Sequence, residues 1–385
     1  MGGDEKLTFT RVDFHGKKRD ETAMTTDDYD ILDALSEVTD LTLAGLAVKD
    51  SVMEKLRAFR ALKSLTLDNA KPPPASYSVL PTLPELQILY LNNSETNDEA
   101  MKSVLQCRKL QRLHLVNLPI TDAGLADLGK LTVLEELNLD DTTKLNSPGF
   151  AHLADCRVLK NFSASRMIIL SGMVEFLGHC KTLETVSLPG SKLKDAQVVP
   201  LGALPKLRSL DLSGTAVTSA AFAMWPQRAE MVSLNLTDSG GVDDAGCKTI
   251  EHTFPKLQDL SVSLPASGFS SEGAGALSRL RGLRTLRLLG PGVDDDAIAE
   301  LARRDTISTL SIPAAQLSEA GVASLARFPH LANLSVDVPP ITDAAMKSFG
   351  KCKELKTVNI GKSAPPETDA KFKSLPGVMV VRPPG

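Results

Sequence analysis

The residues best suited to chemistry in this 385-residue chain are its five cysteines, since a thiolate can attack a substrate or bind a metal. An odd number in so long a chain does not form a disulfide framework. Cys247 takes the place that Leu125 holds elsewhere in a repeated pattern, and the other four take a place held elsewhere by leucine or phenylalanine. These four are Cys107, Cys156, Cys180 and Cys352. A position that exchanges cysteine with leucine and phenylalanine is apolar and buried, so packing is predicted for all five.

Histidines near two of the cysteines raise the question of a zinc site. His152 and His179 lie close in sequence to Cys156 and Cys180, and imidazole and thiolate are the ligands that zinc prefers. However, His152 matches Asp127 in the repeated pattern, on the outward side of a predicted helix. No metal site is predicted.

A glycine-rich stretch has the spacing of a phosphate-binding loop. Gly124 to Lys130 matches G-x-x-x-x-G-K, but Leu131 stands where that motif needs a serine or threonine for magnesium. The stretch also falls on a predicted helix. We therefore predict no cofactor, no catalytic residue and no enzymatic activity.

Three large residues stand at positions of the pattern where most other repeats carry leucine or phenylalanine. Trp225 falls where other repeats carry leucine, so a core position is predicted. Arg228 and Arg304 lie six residues before Leu234 and Leu310, a place that is otherwise apolar. No chemistry is predicted for these two arginines.

Charge and hydropathy exclude further classes. Lysine and arginine total 43 against 47 acidic residues, a net charge of −4, which does not favour nucleic-acid binding. No apolar run approaches the ~18–20 residues that span a bilayer, so no membrane insertion is expected. The N-terminus lacks the apolar segment of a signal peptide. A soluble, cytoplasmic protein is expected from the sequence as given, or an extracytoplasmic one if a signal segment has been removed.

An internal repeat positions all of these residues. The pattern Leu-x-x-Leu-x-Leu recurs fourteen times at intervals of 24–26 residues, and we call its middle residue the anchor. The fourteen anchors are Leu41, Leu65, Leu89, Leu113, Leu137, Phe162, Val186, Leu210, Leu234, Leu260, Leu286, Leu310, Leu334 and Val358.

Each repeat contains one predicted strand and one predicted helix. The anchor segment alternates apolar and polar residues, as a strand with one buried face does. A second segment, clearest at 120–128, begins with Thr121 and Asp122 as a helix start and continues with helical apolar spacing. Such a unit buries its apolar side only by stacking on its neighbours.

These residues carry a resemblance. Over about residues 7–381 the chain is similar to the leucine-rich repeat family, in particular to its ribonuclease-inhibitor-like and cysteine-containing subclasses and to bacterial members. The resemblance implies an α/β solenoid, a horseshoe or arc with parallel strands on the concave face and short helices on the convex face. Many members carry asparagine or cysteine five residues after the anchor, where this chain has Ser94, Leu118, Thr142, Ser191 and Thr215. Different hydrogen bonding is therefore expected in that turn.

The predicted organisation is one repeat domain over residues 1–385. A degenerate N-terminal capping repeat is expected at 7–37, around Phe9, Val12 and Phe14. Regular repeats are expected at 38–375, and a C-terminal cap or tail at 376–385.

Side chains one before, one after and three after each anchor form the predicted solvent-facing side of the strands, which we call the strand face. It carries two arginines, Arg112 and Arg287, and a larger set of carboxylates. The carboxylates belong to Asp40, Asp68, Glu136, Asp140, Asp211, Asp259 and Asp337. The resulting net charge of about −5 favours a basic partner surface.

Two groups of strand-face residues are candidate binding sites. The first, which we call the Tyr90 patch, combines aromatic, basic and acidic side chains on three successive strands. It consists of Ile88, Tyr90, Asn92, Arg112, His114, Glu136, Asn138 and Asp140. The second, the Arg287 patch, consists of Asp259, Arg287 and Leu289. The alternative is that the Tyr90 patch is ordinary solvated strand surface with Arg112 paired to Glu136.

The predicted function is a non-catalytic scaffold or adaptor that binds a protein partner, and not nucleic acid, through its concave face. The chain is expected to be a monomer. One alternative is an inhibitor that occludes a basic enzyme, as some members of the resembled family do. A less favoured alternative is an enzyme with a nucleophilic cysteine.

Overall fold

The computed structural model describes residues 11–15, 31–33, 35, 37–167, 171–315, 317–337, 341–361 and 364–382. These residues fall into two compact units. The first comprises Met1–Lys192 with Leu204–Lys206, and the second comprises Leu193–Ala203 with Leu207–Gly385. Much of the predicted N-terminal cap, including Phe9, lies outside the described residues, as do the last three residues of the predicted C-terminal tail. The domain and cap boundaries stay predictions.

Among the described residues, each unit contains eight parallel strands in the order of the sequence. The strands of the first unit are β1 (Arg11–His15), β2 (Asp40–Ala44), β3 (Ser64–Thr66), β4 (Ile88–Tyr90), β5 (Arg112–His114), β6 (Glu136–Asn138), β7 (Asn161–Ser163) and β8 (Thr185–Ser187). Those of the second are β9 (Ser209–Asp211), β10 (Ser233–Leu236), β11 (Asp259–Ser263), β12 (Thr285–Leu289), β13 (Thr309–Ile312), β14 (Asn333–Val336), β15 (Thr357–Ile360) and β16 (Met379–Val381).

Helices alternate with the strands, which confirms the predicted α/β solenoid of stacked repeats. The α-helices are α1 (Asp50–Lys55), α2 (Asp98–Val104), α3 (Ser171–Leu177), α4 (Asp195–Val198), α5 (Asp244–Thr253), α6 (Ser271–Ser278), α7 (Asp295–Leu301), α8 (Glu319–Leu325), α9 (Asp343–Phe349) and α10 (Pro366–Lys373). The 3₁₀ helices span Leu56–Ala58, Pro74–Thr82, Asp122–Leu125, Leu128–Lys130, Ser147–Asp155, Val199–Ala203 and Ser219–Met224.

The segment that predicted a helix most clearly differs from the expectation. Residues 120–128 form no continuous amphipathic helix, but the 3₁₀ helix Asp122–Leu125 followed by the 3₁₀ helix Leu128–Lys130. A 3₁₀ helix rises ~2.0 Å per residue against ~1.5 Å for an α-helix, so fewer residues cover the same length. The two 26-residue repeats have room for longer α-helices, and they hold α5 with 10 residues and α6 with 8.

No helix in the part of the chain that the structure describes has the length and hydrophobicity that a bilayer crossing requires.

The strand register follows the predicted anchors. Leu89 pairs with Leu65 on one side and with Leu113 on the other, and Leu113 pairs in turn with Leu137. All four side chains are fully buried. In the second unit Leu234 pairs with Leu260 in the same way. Within each unit the anchors therefore pack directly on those of the adjacent repeats, which makes a continuous apolar core.

A left-handed residue ends most of the strand segments, four positions after the anchor. Asn69, Asn93 and Asn117 adopt φ of 57°, 55° and 53° there, and Gly190 and Gly214 hold the corresponding position in later repeats. Asparagine and glycine tolerate this conformation better than other residues. The local sequence thus suits the sharp turn that leads from strand to helix.

The hydroxyl group at the next position is bonded to the strand backbone. Thr142 Oγ1 donates to the carbonyl of Leu115 in the preceding repeat at 2.6 Å, and Ser94 Oγ donates to the carbonyl of Leu91 at 2.7 Å. Both side chains are buried. Serine and threonine therefore satisfy a buried carbonyl in this turn.

In several repeats, an aspartate at the start of the helix accepts hydrogen bonds from the next repeat. Asp98 Oδ1 accepts the N–H of Thr121 at 2.7 Å, and Asp98 Oδ2 accepts the Thr121 hydroxyl at 2.6 Å. Asp244 makes the same pair of bonds with Ser270, at 2.8 and 2.6 Å, and its Oδ1 also accepts the N–H of Gly273 at 2.8 Å. The recurrent Thr/Ser-Asp-Ala-Gly segment is thus a contact between repeats as well as a helix start.

Gly273→Ala is expected to destabilise the protein by about 1–2 kcal/mol, because the new methyl group would displace a bonded carboxylate. A Cβ at this position would clash with Asp244 Oδ1. Gly275, in the same helix α6, has nothing within 4 Å of its built Cβ, so Gly275→Ala is expected to stabilise by about 0.5–1 kcal/mol. Urea unfolding midpoints of both variants measure this. Shifts of the same sign would contradict the account of the carboxylate contact.

Candidate binding surface on the strand face

The Tyr90 patch lies on three adjacent strands of the first unit. Pairing of β4, β5 and β6 places Ile88 beside Arg112 and Arg112 beside Glu136. One step along the strands, Tyr90 lies beside His114 and His114 beside Asn138. Because the flanking anchors are buried, these side chains point to the opposite, solvent-facing side of the strands. The structure therefore brings together the side chains that the sequence grouped.

An aromatic pair forms the centre of the patch. The rings of Tyr90 and His114 lie 4.7 Å apart between centroids at an interplanar angle of 74°, an edge-to-face arrangement. Both residues are half-buried. Edge-to-face packing is favourable for aromatic rings and fixes their orientation. The pair thus presents a rigid apolar surface with polar tips.

Glu136 is shared between two basic side chains. Its Oε1 lies 2.7 Å from His114 Nε2, and its Oε2 lies 3.7 Å from Arg112 Nε. The His114 side chain is 19% exposed, whereas that of Arg112 is 54% exposed. An exposed ion pair at 3.7 Å contributes little stability. Glu136 therefore holds Arg112 only weakly, and about half of the Arg112 side chain is accessible to a partner.

The remaining polar residues of the patch bond the backbone of the strand ends. Asn92 Oδ1 accepts the N–H of Val116 at 3.0 Å, and Asn138 Oδ1 accepts that of Asp140 at 2.8 Å. Asp140 Oδ1 accepts the N–H of Ser165 at 2.6 Å. These three side chains satisfy peptide groups at the ends of the strands. They support the patch rather than offer free hydrogen-bonding groups.

Sequence reasoning did not separate these supporting residues from the exposed ones. A signal for them exists three residues after the anchor, where Asp68, Asn92 and Asp140 recur. Asp68 Oδ1 accepts the N–H of Asn92 at 2.8 Å, so the same side chain-to-backbone bond runs between repeats at this position. A recurring short acid or amide there indicates a structural bond.

The Arg287 patch is more open. Asp259 and Arg287 are exposed and Leu289 is half-buried, all on the solvent-facing side of β11 and β12. Arg287 lies beside Ser261, whereas Asp259 lies beside Thr285, so the two charges are diagonal neighbours. In the described ranges no ion pair joins them. The patch offers separate charges without an aromatic group.

Burial sets the chemistry of the cysteine thiols. It raises the pKa of Cys107, Cys156 and Cys247 to about 12 and that of Cys180 to about 11. Burial also raises the pKa of Cys352, which is half-buried. A nucleophilic cysteine needs the opposite, a lowered pKa and access to solvent.

All five thiols are expected to react slowly with a disulfide reagent such as DTNB in the native protein, because only a thiolate attacks the reagent. Cys352 is expected to react first, since it alone is not fully buried. The control is the same titration in denaturant, where five thiols should react at once. One thiol that reacts within seconds under native conditions would restore the cysteine-enzyme alternative.

The histidines beside the cysteines are not grouped with them. His152 is exposed, and its Nδ1 lies 3.4 Å from Asp155 Oδ2, whereas the Cys156 thiol faces the carbonyl of Leu128 at 3.7 Å. Among the described residues, no three histidine, cysteine, aspartate or glutamate side chains are placed to hold a metal ion together.

Comparison with known proteins identifies the architecture. No protein-family model and no curated protein matches the sequence. Among solved structures, a leucine-rich repeat protein of Leptospira interrogans is similar, with a TM-score of 0.58 at 19% identity over 93% of this chain and 92% of that chain. An internalin of Listeria monocytogenes gives 0.51 at 17% identity over 86% and 88%.

A third similar structure is the mouse RP105/MD-1 complex, with a TM-score of 0.50 at 14% identity over 86% of this chain and 68% of that chain. These likenesses distinguish no subclass, so the ribonuclease-inhibitor-like character and the bacterial affinity stay predictions. Together with the 24-residue period and the register of the anchors, they show that this chain has the leucine-rich repeat fold.

Proposed function

We propose that this chain is a non-catalytic interaction scaffold that binds a protein partner through the Tyr90 patch. The observation that carries the proposal is the edge-to-face pair of Tyr90 and His114, held half-exposed on rigid strands beside an accessible Arg112. Tyrosine and arginine are enriched among the residues that dominate binding energy at protein interfaces. Side chains on adjacent strands also lose little conformational entropy when they bind.

Charge supports a protein partner over nucleic acid. The strand-face positions carry seven carboxylates and two arginines. The strand face would therefore repel a polyanion over most of its length. A partner surface with a basic rim and an acidic or apolar centre would complement both the carboxylates and Arg112. One structure with the same fold, mouse RP105, is seen with a protein partner, MD-1.

The absence of catalysis is part of the proposal. The raised pKa values of the buried thiols oppose a cysteine nucleophile. In the Tyr90 patch, Glu136 is engaged by His114 and lies near Arg112, so it supports their placement rather than acting as a free base. This arrangement is therefore suited to binding a partner and not to catalysis.

Paired capture from a native lysate tests the proposal. One immobilised chain is wild type, and a second carries Tyr90→Ala, Arg112→Ala and His114→Ala together. A third carries Asn161→Ala, Ser163→Ala and Thr185→Ala, which are strand-face positions of the same unit without aromatic or charged groups. We expect mass spectrometry to find a protein retained by the wild type and by the third chain, and lost from the second. Equal retention by all three chains would place the binding surface elsewhere.

A further inference from the structure

An arginine occupies a core position of the second unit. Arg228 lies between the 3₁₀ helix Ser219–Met224 and strand β10, six residues before the anchor Leu234. The equivalent residues of the flanking repeats, Leu204 and Phe254, are fully buried hydrophobic side chains. Burial lowers the pKa of the Arg228 guanidinium below its ordinary value, so this environment disfavours the charge. The apolar surroundings of this position thus disfavour a charged side chain.

Polar atoms at this position in several other repeats have an acceptor in the preceding repeat. The thiols of Cys156 and Cys352 face the carbonyls of Leu128 and Ala326 at 3.7 and 3.4 Å. Arg304 donates through Nε to the carbonyl of Ser278. Within the described residues, Nε and Nη2 of Arg228 are buried and have no acceptor.

The two unsatisfied nitrogens form the edge of guanidinium that binds carboxylates side-on. Arg279 uses the same Nε and Nη2 pair to hold both oxygens of Glu251, at 2.9 Å each. Arg166 uses the pair to hold Asp141. Two parallel N–H donors match the two oxygens of a carboxylate in spacing and charge. In Arg228 this edge is free.

The surroundings add a further donor and an approach from solvent. The indole Nε1 of Trp225, three residues away, is likewise buried without an acceptor. The segment from Trp225 to Arg228 has no regular secondary structure, and Pro226 and Gln227 within it are exposed. A backbone hydrogen bond fixes this segment, since the Arg228 N–H donates to the carbonyl of Thr253 at 2.7 Å. Arg228 as a whole is only half-buried, so part of its side chain is exposed beside Pro226 and Gln227.

We propose that Arg228 is a carboxylate-binding residue, and that its ligand is an acidic side chain of a protein partner that docks over residues 224–228. An arginine stays charged in proteins, and leaving its buried donors without an acceptor is costly. Leucine at this position would remove that cost, as it does in other repeats. A carboxylate from outside the chain would give both buried donors an acceptor. This site does not depend on the Tyr90 patch.

The test uses acetate as the probe and melting temperature as the readout, in the 385-residue chain at constant ionic strength with chloride as the reference anion. Saturable stabilisation of the wild type by about 2 °C is expected, since a ligand that binds only the folded state raises the melting midpoint. Arg228→Leu should fold, because leucine suits the position, and should show no acetate response. Arg228→Lys should need about tenfold more acetate, since it keeps the charge and loses the side-on edge.

Arg281→Gln is the matched control. Arg281 is an exposed arginine of the same unit, and its loss should leave the acetate response unchanged. A blocked aspartyl peptide should then act at lower concentration than acetate, and a blocked lysyl peptide should not act. The inference is overturned if the wild type and Arg228→Leu respond equally to acetate. It is also overturned if the wild type does not respond at all, since water then satisfies the guanidinium.

Discussion

Leu113→Asp is expected to unfold the first unit. Leu113 is fully buried and lies in register between Leu89 and Leu137, so the aspartate would place an unpaired carboxylate between two aliphatic layers. Burying such a charge without a partner, with loss of the leucine packing, costs roughly 5 kcal/mol or more. Because each repeat is stabilised by its neighbours, the loss of one interface propagates to the adjacent repeats.

Far-UV circular dichroism during heating measures this effect, and Thr185→Asp is the control. Thr185 lies on β8 of the same unit on the solvent-facing side and is only half-buried. The same charge there should change stability by less than about 1 kcal/mol. If the two variants melt alike, the assignment of the anchors to the core is wrong.

The double variant Tyr90→Ala/Arg112→Ala is expected to lower affinity for the captured partner about a hundredfold. Removing an aromatic and an arginine anchor at an interface costs on the order of 1–2 kcal/mol each, and tenfold in affinity corresponds to 1.4 kcal/mol. Tyr90 also orients His114 through their edge-to-face contact, so its loss affects two contact groups. Isothermal titration calorimetry gives the dissociation constants.

The matched control for this loss is Thr185→Ala/Ser187→Ala. These residues occupy the same two strand-face positions on β8, where they are half-buried and carry only hydroxyl groups. Their removal should change affinity less than threefold. A comparable loss in both double variants would mean that the strand face binds diffusely, without an anchor at the Tyr90 patch.

The repeat period was sufficient to predict the core. A side chain every 24 residues that is always aliphatic or aromatic must stack on its counterparts, and the pairs Leu65–Leu89 and Leu234–Leu260 do so. The same periodicity placed Tyr90 beside His114, because parallel strands in register put equivalent positions next to each other. Neighbour relations on the strand face are therefore readable from sequence.

Hydrogen bonding across repeats was not readable in the same way. Asp98 looks like a solvated acid in the sequence, yet it accepts two bonds from Thr121, 23 positions away. The bonds depend on the exact geometry of the turn, which a hydropathy pattern does not contain. The helix predicted at 120–128 is two 3₁₀ helices instead. Apolar spacing did not distinguish the two helix forms, and repeat length does not either, because the 24-residue repeats that hold α2 and α7 form α-helices.

Arg228 has one feature that the sequence predicts and one that it does not. Its place in an apolar position was visible from the sequence, but the missing acceptor became visible only when the neighbouring carbonyls were placed. Arg304 breaks the same pattern and is bonded to Ser278. Identical sequence anomalies can therefore have different physical consequences.

Site-specific photo-crosslinking tests most directly whether a protein partner binds at the Tyr90 patch. A photoreactive phenylalanine analogue would replace Tyr90 in one chain and Ser187, at the same strand-face position of β8, in another. Our account predicts a crosslinked complex with the captured partner from position 90 and little or none from position 187. Efficient crosslinking from position 187 with none from position 90 would contradict it.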